Sequence, residues 1–143
     1  MSSSPLPPSP KPPEFQSASE LLSLLRSRKI GAVELLKLHI ERLEKYNPAL
    51  NVVVATDIEG ALRAAAKADN LARGRTDLPA LHGLPMTIKD TFEVVGMPAT
   101  CGLPFLAEHR PQEDADAVAR LKTAARVDGT AGMSKRWCFD GDL

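Results

Sequence analysis

The chain has 143 residues, 43% hydrophobic and 25% charged, which suffices for one globular domain with a real core. Its 18 Lys and Arg balance its 18 Asp and Glu, so no basic surplus argues for a nucleic-acid partner. No apolar run is long enough to cross a membrane, and with only 4% aromatic residues the core must be built from Leu, Ala, Val and Ile.

Residues 1–13 hold six of the twelve prolines and four serines. Such a stretch cannot bury enough apolar surface to offset its ordering entropy, so residues 1–14 are expected to form a disordered tail of polyproline character. A docking motif for a proline-binding module is the alternative for PLPP and PKPP. The N-terminus lacks the apolar stretch of a secretory signal, and Cys101 and Cys138 do not make a disulfide framework. A reducing, cytosolic compartment is therefore expected. His39, His82 and His109 show no metal-ligand spacing, so neither a metal nor a cofactor is expected.

Order is expected from Ser17, where Ser17-Ala18-Ser19-Glu20 fits a capping box. Leu21, Leu22, Leu24 and Leu25 give the first helix an apolar face, and Gly31 breaks it. A second helix from Ala32 carries Val33, Leu36, Ile40 and Leu43 at spacings of three and four, with Tyr46-Asn47-Pro48 expected to end it. Both stripes read as core packing.

Leu50 to Ala55 is a β-branched run and a candidate strand. Asp57 can cap a third helix with Ile58, Ala61, Ala65, Ala68 and Ala72 on a narrow face, and Gly74 is placed to end it. Leu84, Met86 and Ile88 then alternate with Pro85, Thr87 and Lys89, which predicts a strand with Lys89 and Thr87 on the face away from the core. Asp114 or Asp116 can cap a fourth helix with Val118, Leu121 and Ala125 inward. Alternating strands and helices favour a layered α/β fold with parallel strands. Two or three strands are few for such a sheet, so the fold is expected to be incomplete. The domain is placed at 15–125.

The stretch LHGLPMTIKDTFEVVGMPATCG, residues 81–102, concentrates the residues that could carry chemistry. Lys89 is either a solvated strand-end side chain paired with Asp90, or a proton carrier. The second role requires burial, because a free lysine stays protonated at neutral pH. Asp90 could fix the strand-to-loop turn by accepting bonds from backbone amides, and His82 more naturally orients the approach loop than ionises. A lone Cys101 is usually an inert small hydrophobe.

These elements resemble the amidase signature family: Leu81-His82-Gly83-Leu84-Pro85-Met86-Thr87-Ile88-Lys89-Asp90, then the Gly96–Gly102 loop with Ala99 and Cys101 as variations, then Asp116-Ala117-Val118-Ala119-Arg120-Leu121. The resemblance covers roughly residues 17–125. It implies the N-terminal part of an α/β/α layered fold with two amphipathic helices before the first strand. It also implies hydrolysis of a carboxamide C–N bond by a nucleophilic serine, a second serine in a cis peptide, and a lysine that Lys89 matches as general base. A small amide would be the substrate.

The family's serines lie downstream in a Gly-Ser-rich stretch that this sequence lacks. Eight of its nine serines precede residue 28, and the ninth, Ser134, stands in a segment that does not match. Activity of this chain alone is therefore not expected. A non-catalytic α/β module or partner-binding remnant is the alternative. After Ala125 the family would continue with an apolar strand and a GKTN turn. Here residues 126–143 are polar and Gly-containing, so a divergent, poorly ordered tail is expected, as from a frame shift or altered splice followed by an early stop.

Overall fold

A computed structural model of the chain describes residues 11–125 and the backbone of residues 133–136. A 3-10 turn at Pro13–Phe15 leads into α1 (Ala18–Arg26), α2 (Ala32–Leu50), β1 (Val53–Thr56), α3 (Ile58–Ala72), β2 (Met86–Lys89), a 3-10 turn at Pro104–Leu106, α4 (Asp116–Ala125) and β3 (Met133–Arg136). Residues 1–10 of the expected tail lie outside the described residues.

The capping box of α1 is formed as the sequence predicts: the Glu20 N–H donates to Ser17 Oγ, and the Ser17 N–H donates to the Glu20 carboxylate at 2.7 Å. The Ser17 N–H, together with the Ser17 hydroxyl that donates to the same carboxylate at 2.8 Å, holds the Glu20 carboxyl below its ordinary range by favouring its charged form. Asp57 caps α3 through the Gly60 N–H at 2.9 Å, and Gly74 follows α3 with φ +80, the left-handed conformation suited to glycine.

Gly31 has no side chain to cap α2, so the cap comes from elsewhere. Asp69, on α3, accepts from the Ala32 N–H at 2.6 Å and the Val33 N–H at 3.1 Å. A carboxylate facing the positive end of the helix dipole fastens α3 to α2.

Three boundaries differ from expectation. α2 does not stop at Tyr46-Asn47-Pro48 but runs to Leu50 with Pro48 inside its last turn. The Asn47 side chain locks the exit, donating to the Val53 carbonyl at 2.8 Å and accepting from the Val53 N–H at 2.9 Å, while Asn51 turns the chain with φ 44. β1 consequently starts at Val53 rather than Leu50. The fourth helix begins at Asp116 and takes no cap from Asp114, whose carboxylate instead accepts from the Val95 N–H and from Lys122.

The sheet order is β1-β3-β2, with β3 parallel to β2 and antiparallel to β1. The expectation of parallel strands holds for one pairing only. Register places Lys89 beside Arg136, Thr87 beside Ser134 and, across β3, Val53 beside Arg136. The strand at Met133–Arg136 falls in the stretch expected to be an irregular tail; the remainder of that stretch, 126–132 and 137–143, lies outside the described residues.

Two cores result. Leu21, Leu25, Ile30, Leu35, Leu36, Ala61 and Ala65 bury the faces of α1, α2 and α3 against one another. Ile88, Val94, Met97 and Val118 join β2, the following loop and α4. Of the residues expected inside α4, Val118 is buried while Leu121 and Ala125 are half-buried; buried Lys122 joins them. Its ammonium holds both oxygens of Asp114 at 2.7 Å.

Candidate active site

β2 ends at Lys89, and three neighbours define what that end can do. Ile88, one residue back, is buried in the second core, whereas Thr87 and Lys89 are exposed. The alternation therefore falls as the sequence predicts. Burial of the lysine, required for a neutral amine, is not met: Lys89 is exposed on the face that it shares with Thr87.

Asp90, one residue on, points into the protein and is only 3% exposed. Its carboxylate accepts from the Thr100 N–H at 3.2 Å, from Thr100 Oγ1 at 2.8 Å and from the Cys101 N–H at 2.7 Å. The same hydroxyl oxygen of Thr100 accepts from the Gly102 N–H at 3.2 Å. Asp90 thus closes a loop on itself by the amide bonding expected of it.

Within that loop Val94, Met97 and Ala99 are buried, so the segment is held by apolar anchors as well as by the carboxylate. Gly96 and Gly102 take φ of +81 and +74, and Cys101 takes φ 51. A non-glycine residue there is strained by about 1 kcal/mol, and the bond from its N–H to Asp90 offsets that cost. The Cys101 thiol is exposed and free.

His82 stands before the strand rather than at its active end. It is 2% exposed, and burial pushes its pKa below 6.5, with Arg26 adding to and Asp69 opposing the shift. It belongs to the approach turn, in keeping with an orienting role. His39 lies on α2 and His109 bonds Glu93 at 3.1 Å, so the three histidines do not converge. Among the described residues no cluster of three His, Cys, Asp or Glu side chains could hold a metal ion, and no helix is long and apolar enough to cross a membrane.

A groove of about 700 Å³ runs between α2 and the sheet, lined by Leu36, Leu43, Tyr46, Val53, Met86 and Thr87 among others. Its volume is that of a small-molecule site, but Lys89 is not in its wall. Of the described serines before residue 28, Ser17 caps α1, Ser19 and Ser23 lie on it and Ser27 follows its last residue, and Ser134 is in β3 at the position beside Thr87.

Two contributors to the site went unseen in the sequence. Thr100 closes the Asp90 loop; the signal was an Asp and a Thr at the two ends of a loop with buried apolar anchors. Asp69 caps α2 from α3; the signal was a helix beginning at a glycine that cannot cap itself.

Comparison with known proteins places this geometry. A model of the Amidase family matches residues 34–129. Over 111 residues the chain is 42% identical to one subunit of the glutamyl-tRNA(Gln) amidotransferase of Azoarcus sp., covering 78% of this chain and 23% of that one. It is 37% identical over 119 residues to the indoleacetamide hydrolase of Bradyrhizobium diazoefficiens, covering 82% and 23%. It is 33% identical over 129 residues to fatty-acid amide hydrolase 2-A of Danio rerio, covering 85% and 24%. The chain spans about a quarter of the length of these curated relatives.

Among solved structures, a bacterial aryl acylamidase of the amidase signature enzymes superposes with a TM-score of 0.74 at 23% identity over 85% of this chain and 25% of its own. At that identity the likeness shows the fold alone. An amidase crystal structure matches with a TM-score of 0.67 at 31% identity over 84% and 27%. Through the lysine-bearing strand, the clamped loop and the helices around them, the chain belongs to the amidase signature family.

Proposed function

We propose that this chain carries the lysine arm of a site that hydrolyses carboxamide C–N bonds, and that alone it does not turn substrate over. Lys89 is the general base of a Ser–cisSer–Lys mechanism. Its neutral amine takes the proton of a serine hydroxyl, relayed through a second serine. The serine oxygen attacks the carbonyl carbon, the amine leaves with the proton, and water releases the acyl group. Both serines would have to come from outside the described residues. The substrate is a small amide, and no nucleic acid or membrane takes part.

The observation that carries the reading is the pinning of β2 at its end: Ile88 buried on one side of Lys89 and Asp90 clamped to Thr100 and Cys101 on the other. A base must be held within hydrogen-bond reach of its proton, and this arrangement fixes the backbone that aims it.

A second reading is favoured by the exposure of Lys89: a non-catalytic α/β module that retains the scaffold. One experiment separates the two. The purified chain is assayed against aliphatic and aryl amides, and its residues 81–102 are transplanted into an active aryl acylamidase of the family. The reading expects no turnover by the chain, and in the chimaera a rate that Lys89→Ala lowers by about three orders of magnitude. A chimaera indifferent to Lys89→Ala overturns it.

A further inference from the structure

His82 occupies the turn that brings the chain from the helices into β2, and three sides of that turn are fastened. From α1, Arg26 Nη2 donates to the Ala80 carbonyl at 2.9 Å. From α4, the Ala124 carbonyl accepts the Leu81 N–H at 3.1 Å. Against α2, Gly83 lies so close that a Cβ there would stand 2.9 Å from Ala32 Cβ. Leu84 then packs on the helical core. In the middle of this arrangement the His82 side chain is 2% exposed, and no described group reaches its Nδ1.

The charged groups that bear on the ring are Asp69 from α3, which favours protonation, and Arg26 from α1, which opposes it. α2 meets the turn through Ala32, and α4 through a backbone carbonyl. Both oxygens of Asp69 already serve the Ala32 and Val33 amides at the start of α2, where Gly31 supplies no cap of its own.

We propose that His82 is an acid-sensitive latch: neutral, it seals the turn between the helices and β2; protonated, it releases that turn and loosens the strand that ends at Lys89. An imidazolium in this position has two choices. It stays buried without an acceptor, which is costly. Otherwise it draws Asp69 away, leaving the first amides of α2 orphaned. Only the neutral ring keeps the turn buried without an uncompensated charge while Asp69 stays on the first amides of α2.

The sign follows from burial. The docked ring resists protonation below 6.5, so the opened state binds the proton first. The latch is fully closed above the ordinary value and weakens as pH falls from there to the docked value, with no further loss below it. One proton limits the effect to about tenfold in the opening equilibrium per pH unit.

The test is amide hydrogen exchange at Leu84 and Ile88 between about pH 7 and 5, corrected for intrinsic rates, in the chain, in His82→Gln and in His39→Gln. The third protein is needed because burial, aided by Arg42 and opposed by Glu14, also lowers the pKa of His39. The expected result is an opening equilibrium that rises severalfold with acid in the chain and in His39→Gln, and stays flat in His82→Gln. The same rise in His82→Gln overturns the proposal. If that variant does not fold, the His82 ring titration followed by NMR decides: a midpoint below 6.5 supports the latch, and one at or above it overturns it.

Discussion

Replacing Asp90 by alanine should remove the device that fixes the loop beside Lys89. Its carboxylate holds Thr100 Oγ1 at 2.8 Å and the Cys101 N–H at 2.7 Å, with the Thr100 N–H at 3.2 Å. Hydrogen bonds to a charged acceptor contribute about 1.5–3 kcal/mol each. Two short ones and one longer would reach about 5 kcal/mol, but Cys101 is exposed and water can replace part of the loss. A net cost of about 3 kcal/mol follows. Asp90→Asn keeps one acceptor oxygen in place and should cost about 1–2 kcal/mol. Urea unfolding reads both values from the midpoint at constant slope, and hydrogen exchange at Thr100 and Cys101 reports whether the loss is local. A cost below about 0.5 kcal/mol for Asp90→Ala, within the range of ordinary surface substitutions, would refute the claim that this carboxylate organises the loop.

Gly83→Ala should cost about 2–3 kcal/mol, because φ is +66 and the new Cβ meets Ala32 at 2.9 Å and Leu25 at 3.5 Å. Gly74→Ala, with φ +80 but nothing within 4 Å, should show only the backbone share, about 1 kcal/mol; equal urea midpoints would contradict the close approach. Asn47→Ala loses both bonds to Val53 and should lower stability by about 2 kcal/mol, with faster exchange at Val53. Burial raises the Asp114 pKa, but hydrogen bonds from Lys122 and the Val95 amide outweigh it and hold the carboxyl below 3.8. Stability from Asp114 is thus present above that value and lost as pH falls through the lowered one. Lys122→Met should cost about 3 kcal/mol near neutrality by leaving a half-hidden carboxylate unpaired, and should flatten the acid limb of a thermal-midpoint profile.

What could be read from the sequence was local. The Ser17–Glu20 box, the Asp57 cap, Gly74 after α3 and the alternation around Lys89 each depend on residues within a few positions of one another. What could not be read was carried by distant partners. Pro48 signals a helix end, yet the Asn47–Val53 pair and Asn51 place that end at Leu50. Asp114 has the chemistry of a helix cap, yet Lys122 and Val95 claim it. β3 was hidden for a different reason. Met-Ser-Lys-Arg has no apolar run or β-branched enrichment, so its pairing comes from the backbone edges that β1 and β2 offer on either side.

That central position of β3 bears on Lys89. A base at the end of β2 needs a rigid backbone and dry surroundings, and the two requirements are met by different parts of a fold. The described residues provide the first: a buried Ile88, a clamped Asp90, and pairing of β2 with β3 up to Lys89 beside Arg136. They do not provide the second, since Thr87 and Lys89 share an exposed face. Rigidity can be built locally from one strand, one loop and one helix. Desolvation takes a further layer over the open face. The proposed base role therefore depends on whatever covers Thr87 and Lys89, and covering that face in a chimaera should protect the lysine amine from acylating reagents while leaving the Asp90 clamp unchanged. An amine that reacts as readily when covered as when open would separate Lys89 from catalysis while leaving the fold assignment intact.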